Sequence, residues 1–301
     1  MKNIINELLK QSCTIMHKTA IDKCYKDYMD EKNGCSWYHM AWQYLRILNC
    51  VSAPQWHGDF YAVEVMKEIN KKDKLHILIS GTADYSLLHI LITTVVKCNV
   101  LVSIDILDKC QTPLELCKWY IENIQAYLTE GEKINLQNNV TINYLCKDLF
   151  ILDDIDKYDI ICTDAFLTRF IHYEVPSVLQ KWRQLLKDKG KIVTTVRIHE
   201  VNKTKNLFDI TKDISSFMNK VKRRYEEYIK NEKFPISESE LTYLAYRYIV
   251  RMKSNNLGNE ENISKILNEC GFKHTPIVHT VEGEIEETRY LHIVSEVSKN
   301  D

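Results

Sequence analysis

The residues Leu75-His76-Ile77-Leu78-Ile79-Ser80 form an apolar run that breaks at Gly81-Thr82-Ala83-Asp84 and resumes at Leu87. That pattern is a strand, a tight glycine turn and a helix start. Gly81 lets the backbone approach a bound group, and free N–H groups at a helix start can meet a carboxylate or phosphate. An ordinary strand-to-helix turn is the competing reading of a single glycine. Two acids then end later β-rich runs. Asp108, followed by Lys109, stands where a carboxylate can accept two hydrogen bonds from a ribose diol, with Asp105 as the second choice. Asp148, followed by Leu149, stands where an exocyclic adenine amine could be bound; taken singly it reads as a surface residue.

A second set of reactive types lies near the N-terminus. His39 and His57 sit among Trp37, Tyr38, Trp56, Asp59 and Tyr61. Imidazole titrates near neutrality beside hydroxyls, which makes His39 and His57, with Tyr38, the candidates for general base; simple packing is the bland alternative. Trp37, Trp56 and Tyr61 could wall a pocket, exclude water and stack on a ring or a cation. Arg169, in Thr163-Asp164-Ala165-Phe166-Leu167-Thr168-Arg169, could fork onto a carboxylate or pair with Asp164 or Glu174.

The ten cysteines, at 13, 24, 35, 50, 98, 110, 117, 146, 162 and 270, include no C-x-x-C pair, and no histidine pair has metal-ligand spacing with an acid nearby. Free thiols in a reducing cytosol and no metal site are the expectation. No serine-centred nucleophile turn occurs.

The elements that must position these groups alternate from Lys74 onward. Strands are expected at 75–80, 100–108, 140–146, 158–164 and 191–198, nearly continuous in Ile, Val and Leu as in a parallel sheet covered on both faces. Thr112-Pro113-Leu114-Glu115 predicts a capping box that starts a helix running to about Leu128. Helical spacing at Val178, Leu179, Trp182, Leu185 and Leu186 predicts a second helix, with Gly190 as its left-handed stop. Beyond His199, Leu207 to about Ile229 and Leu241 to Met252, the latter capped by Ser237 and Glu240, read as an inserted helical pair. A short helix ending at Gly271 precedes strands over 274–281 and 290–297, joined by Glu282-Gly283-Glu284 as an antiparallel hairpin. The expected divisions are a helical cap or lid (1–70), a core (71–200), a helical insertion (201–260) and a closing helix and hairpin (261–301).

With 301 residues, 45% hydrophobic and 27% charged side chains and a formal net charge of -1, the chain has no global field to attract nucleic acid or anionic lipid. The basic run Lys220–Arg224 is followed at once by Glu226 and Glu227, a solvated helix face. No apolar run reaches the ~18 residues of a membrane span, and no secretory signal precedes the cysteines. A cytoplasmic protein with a small-molecule partner is expected, as a monomer or a homodimer.

The order of these motifs resembles class I S-adenosylmethionine-dependent methyltransferases over residues 74–199. The resemblance rests on the Gly81 turn, the acid ending the second strand, Lys147-Asp148-Leu149 after the third, Tyr158–Asp164 as the fourth, and Leu185-Leu186 with Gly190-Lys191-Ile192-Val193 leading into the fifth. It implies a three-layer Rossmann-like α/β fold with a mostly parallel seven-stranded sheet closed by an antiparallel C-terminal hairpin. It also implies S-adenosylmethionine as cofactor, with Gly81, Thr82, Ala83 and Asp84 at its methionine part, Asp108 and Lys109 at the ribose, Asp148 and Leu149 at the adenine, and Thr163 at the end of the fourth strand. Ile79, Ala83 and Tyr85 stand where the family carries an acid and two further glycines, and as a dinucleotide fingerprint the loop is poorer still. The implied activity is methyl transfer to a small molecule. Chemistry at the aminocarboxypropyl arm of the cofactor, or a non-catalytic binding subunit, are the other readings.

Overall fold

The computed structural model describes residues 2–24, 34–198, 210–274, 278–281 and 289–299. Among the described residues, three α-helices come first: α1 (Lys2–Lys23), α2 (Ser36–Ile47) and α3 (Gly58–Ile69). The alternating part follows as β1 (Lys74–Ser80), α4 (Ser86–Val95), β2 (Leu101–Asp108), α5 (Gln111–Ile124), α6 (Glu130–Asn139), β3 (Val140–Cys146), β4 (Tyr158–Asp164), α7 (Val175–Leu185) and β5 (Leu186–Ile198). After α8 (Ile210–Ile229), α9 (Glu238–Arg251) and α10 (Glu260–Glu269), the chain closes with β6 (Phe272–His274), β7 (Val278–Val281) and β8 (Arg289–Val297).

The sheet order is β3-β2-β1-β4-β5-β8-β6, with β7 also paired to β8. β1 to β5 run parallel, and β8 runs against β5, β6 and β7. Of the strand expected over 274–281, His274 ends β6 and Val278–Val281 forms β7, both paired with β8; residues 275–277 lie outside the described residues. The turn proposed at Glu282-Gly283-Glu284 lies outside the described residues, as do His199 and Leu207.

Successive side chains of the central strands face opposite ways, and the burial divides accordingly. Ile77, Ile79, Ile104 and Ile106 join one core with α1 to α5 and α9. Leu78, Leu107, Ile161 and Ile192 join a second with α7 and α10. The result is a three-layer Rossmann-like α/β fold in which one helical layer is double. β3, at the edge, has only half-buried and exposed positions, whereas central β4 is buried from Tyr158 to Thr163.

Two local expectations need correction. The α5 helix is capped by Cys110, whose Sγ accepts from Thr112 N at 3.4 Å. Thr112 is already inside the helix, and Glu115 bonds Gln111 and Lys118 instead. The Asp108 carboxylate takes the Cys110 N–H (2.8 Å), which starts the turn two residues early. The capping box occurs at Thr129 and Glu132, ahead of α6, a helix the sequence reading did not find. The α7 helix stops at Leu185, and the left-handed residue is Lys189 (φ 58). Gly190 is needed for space: a Cβ there would lie 2.9 Å from the Lys187 carbonyl. Ser237 does cap α9, accepting from Glu240 N at 3.2 Å.

Candidate functional site

The order β2-β1-β4 reverses direction beside β1, and open α/β sheets leave a crevice at such a point, beyond the carboxyl ends of the strands. Here it is built around the β1–α4 loop. Gly81 has φ +74, and its N–H donates to the Leu107 carbonyl at 2.8 Å, carrying the β1–β2 ladder one residue further. A Cβ at Gly81 would stand 2.4 Å from the Phe166 ring, so the glycine admits that ring. Thr82 N donates to Asp108 Oδ2 at 3.0 Å while Cys110 N takes Oδ1, and Lys147 N donates to the Asp108 carbonyl at 3.0 Å. Lys109 pairs with Asp148 at 2.9 Å. The three segments carrying Gly81, Asp108 and Asp148 thus adjoin along one rim.

The loop is held from behind. Asp84 is buried and receives Trp42 Nε1 (2.7 Å), Gln43 Nε2 (3.2 Å) and the Arg46 guanidinium from α2, and Ser86 N (2.6 Å) from the start of α4. Its carboxylate is thereby committed to the fold.

Beside the rim a cleft of about 640 Å³, counted to its open mouth, lies between the Gly81–Asp84 loop, the residues after β4, and α2 and α9. Its aromatic wall is Tyr38 stacked on Trp42, with centroids 5.0 Å apart, and Tyr248 at 5.7 Å from Tyr38. The Arg169 guanidinium lies over the Tyr38 ring at 5.5 Å and donates to the Lys253 carbonyl at 3.0 Å, leaving both Asp164 and Glu174 unpaired with it. Opposite, Arg197 donates to the Tyr290 hydroxyl at 2.7 Å. Asp164 faces the same space; its Oδ1 accepts from Thr195 Oγ1 (2.7 Å) and Tyr61 OH (3.1 Å), and no described residue donates to its Oδ2. Next to it Ala165 holds a left-handed backbone (φ 48), the kind of local strain that collects at ligand sites. Burial raises the Tyr38 and Tyr61 phenols well above the ordinary range, so at neutral pH both are protonated donors. Burial likewise raises the Asp108 carboxyl, against the opposing pull of the two backbone N–H groups.

Of the residues singled out from sequence, Tyr38, Gly81, Thr82, Ala83, Asp84 and Arg169 line this cleft. Asp108, Lys109 and Asp148 stand along the adjoining rim, and Asp148 caps the turn at Leu149–Ile151 by accepting from Phe150 N at 2.9 Å. Leu149 is buried in the α7 core, and Asp105 is engaged by Tyr158 OH (2.7 Å) and Lys157 (2.9 Å). Thr163 is fully buried, and its Oγ1 has no partner among the described residues. Tyr61 lies behind the cleft floor, its hydroxyl on the Thr163 carbonyl (2.8 Å). Trp37 bonds the Gly34 carbonyl (2.7 Å), and Trp56 is 36% exposed away from the cleft lining.

Neither histidine lines the cleft. His57 Nδ1 lies 3.0 Å from His292 Nε2, and His39 Nδ1 lies 3.4 Å from Cys24 Sγ in a cluster with Cys35 and Cys110. The expectation that no metal-ligand set exists considered only neighbours in sequence, and folding brings Cys110 to residues 71 or more positions earlier. Tyr248, which the sequence offers as packing or as closing the pocket from the insertion side, does line it; Asp164, Arg197 and Tyr290 were not recognised as site residues. Only Asp164, at the end of a strand, carried a signal that could have marked it.

No family model matches the chain, and no curated protein matches it. Solved structures do resemble it. Magnesium protoporphyrin IX methyltransferase (ChlM) from Synechocystis PCC 6803, with bound SAH, is 14% identical; the match covers 81% of this chain and 83% of that one, with a TM-score of 0.48. A SAM-dependent methyltransferase from Methanosarcina mazei is 13% identical, covering 76% of this chain and 95% of its own, with a TM-score of 0.44. A chain from Bordetella parapertussis described as a possible exported protein is 11% identical, covering 82% and 68%, with a TM-score of 0.48. At these identities the likeness is one of fold, and fold alone does not carry function. Among the described residues, no helix is long and apolar enough to cross a membrane.

Proposed function

We propose that this chain is an S-adenosylmethionine-dependent methyltransferase of the cytoplasm that acts on a small molecule. The observation that carries the reading is the junction of two spaces at the switch point beside β1. One is a rim where the Gly81, Asp108 and Asp148 segments adjoin, and the other is a cleft with an aromatic wall and a carboxylate.

The residues fit the cofactor. Asp108 is partly open and uses two of its roughly four lone-pair positions on Thr82 N and Cys110 N, which leaves acceptors for ribose hydroxyls. Tyr38 and Trp42 supply an apolar aromatic wall beside the Gly81 loop. When bound, that cofactor would supply a methyl group already activated for displacement, so alignment and proton removal are what the protein contributes. Asp164 Oδ2 is the proton acceptor of this cleft, with Thr195 and Tyr61 holding its other oxygen in place. Arg169 favours an acceptor that carries negative charge. Tyr38, Tyr248 and Met252 limit the access of water.

Calorimetry with S-adenosylmethionine and S-adenosylhomocysteine tests the reading, and single-site binding of both is the expected result. Failure of both to bind would sink it. Product analysis with candidate acceptors then separates the reactions: S-adenosylhomocysteine marks methyl transfer, and methylthioadenosine marks attack on the aminocarboxypropyl arm.

A further inference from the structure

Cys24, Cys35, His39 and Cys110 each offer a ligand atom, and these four atoms lie within 4.8 Å of one another. The sulfurs of Cys24 and Cys110 are 3.4 Å apart, those of Cys35 and Cys110 3.5 Å, and those of Cys24 and Cys35 3.6 Å. His39 Nδ1 stands 3.4 Å from Cys24 Sγ and 3.6 Å from Cys110 Sγ. A tetrahedron with Zn–S of ~2.3 Å and Zn–N of ~2.05 Å has edges of about 3.8 Å between sulfurs and about 3.6 Å between sulfur and nitrogen. Five of the six edges match it to within a few tenths of an ångström, and the sixth, Cys35 Sγ to His39 Nδ1, lies within 4.8 Å. They are far beyond the ~2.05 Å of a disulfide.

We propose that these four side chains bind one zinc ion in a closed Cys3His site. The class of ion follows from the donors: three soft thiolates and an imidazole in a tetrahedral arrangement select zinc over oxygen-seeking cations. Four protein ligands leave no open position, so the ion is structural. Its surroundings have the features of an outer shell. Thr112 Oγ1 lies 3.0 Å from Cys24 Sγ, and Thr112 N donates to Cys110 Sγ at 3.4 Å. Cys24 and His39 are buried, and Cys35 and Cys110 are half-buried. Binding to the thiols releases their protons to solvent as the metal–sulfur bonds form, with no change of oxidation state.

The ligands come from three places: the residue after α1, the start of α2, and the β2–α5 turn. Cys35 caps α2 and His39 follows four residues on, which puts both on one face of the first helical turn. The ion would therefore fasten the N-terminal helices to the carboxyl edge of the sheet. It would do so two residues from Asp108 and one from Tyr38, whose ring walls the cleft.

Elemental analysis of the full chain, purified without chelator and then incubated with zinc, should give one ion per chain. Cobalt in place of zinc should give the visible bands of a tetrahedral thiolate site. Cys24→Ser and Cys110→Ser should each lower zinc affinity by at least a hundredfold, and Cys146→Ser, at an exposed cysteine outside the cluster, should leave it unchanged. If the variants do not fold, displacement of zinc from the wild-type chain by a thiol-modifying reagent provides the same test. The proposal is overturned by a zinc-incubated wild-type chain that holds no ion, by cobalt spectra lacking thiolate charge transfer, or by alkylation and mass spectrometry finding any two of these thiols joined. None of these readouts requires adenosyl-ligand binding, so the metal site and the proposed activity fail separately.

Discussion

Arg46 of α2 and Asp84 of the β1–α4 loop form an ion pair in which each side chain is 1% exposed. The pair joins the N-terminal helices to the loop that closes the rim, and Trp42, Gln43 and Ser86 supply the remaining hydrogen bonds to the carboxylate. A buried pair adds little over well-packed apolar residues, but losing one partner strands a charge in the interior.

Arg46→Met should therefore destabilise the chain by about 3–5 kcal/mol. Urea denaturation measures this as a lowered midpoint at unchanged slope. Arg46→Met combined with Asp84→Asn should recover part of the loss, because the stranded charge is gone. A single variant with the wild-type midpoint would show that the pair does not hold the loop.

Asp108→Ala should weaken S-adenosylhomocysteine binding by roughly 10- to 100-fold, the range for a lost hydrogen bond to a charged group at ~1.5–3 kcal/mol. Calorimetry reads the affinity, and zinc content measured on the same sample shows whether the neighbouring Cys110 turn survives. Unchanged affinity would remove Asp108 from the ribose site.

Gly81→Ala meets two obstacles, a left-handed backbone and the Phe166 ring. The backbone alone costs roughly 1–2 kcal/mol. The variant should unfold earlier on heating, and Phe166→Leu added to it should restore part of the stability. Equal melting points for the wild type and Gly81→Ala would contradict the packing described here.

His89 is held neutral, its pKa pushed down to about 4 by burial and then by Arg46, with Nδ1 2.8 Å from Tyr120 OH. In the unfolded chain it titrates near 6.5. Between these values the unfolded chain binds the extra proton. The stability due to neutral His89 is thus complete above about pH 6.5 and is lost as pH falls toward 4. His89→Gln, which can still bond Tyr120, should flatten the fall in denaturation midpoint over that interval. An unchanged pH slope would place the proton elsewhere.

Much of the architecture could be read from period and punctuation. Val140–Cys146 and Tyr158–Asp164 match the expected strands because runs of β-branched and aliphatic residues between turns have few other uses. Of the strand expected over 274–281, His274 ends β6 and Val278–Val281 forms β7, both paired with β8. The box expected at Thr112 failed because its groups have other partners: Thr112 N donates to Cys110 Sγ, Thr112 Oγ1 meets Cys24 Sγ, and the Glu115 carboxylate is held by Gln111 and Lys118.

The site was legible only in part. Gly81, Thr82, Ala83 and Asp84 could be found because a strand end and a glycine are local signals. Arg197 and Tyr290 meet across β5 and β8, and that contact exists only through antiparallel pairing.

The sequence by itself determined the alternation of strands and helices, the loop at Gly81, the acid that ends β2 and the acid that follows β3, because each follows from hydrophobic period and backbone preference within a few residues. Tertiary structure alone decided that Asp84 serves Arg46, that Tyr38 and Tyr248 form one wall, and that three cysteines and a histidine share one point. Those outcomes depend on which distant segments pack together, and local spacing holds no record of that.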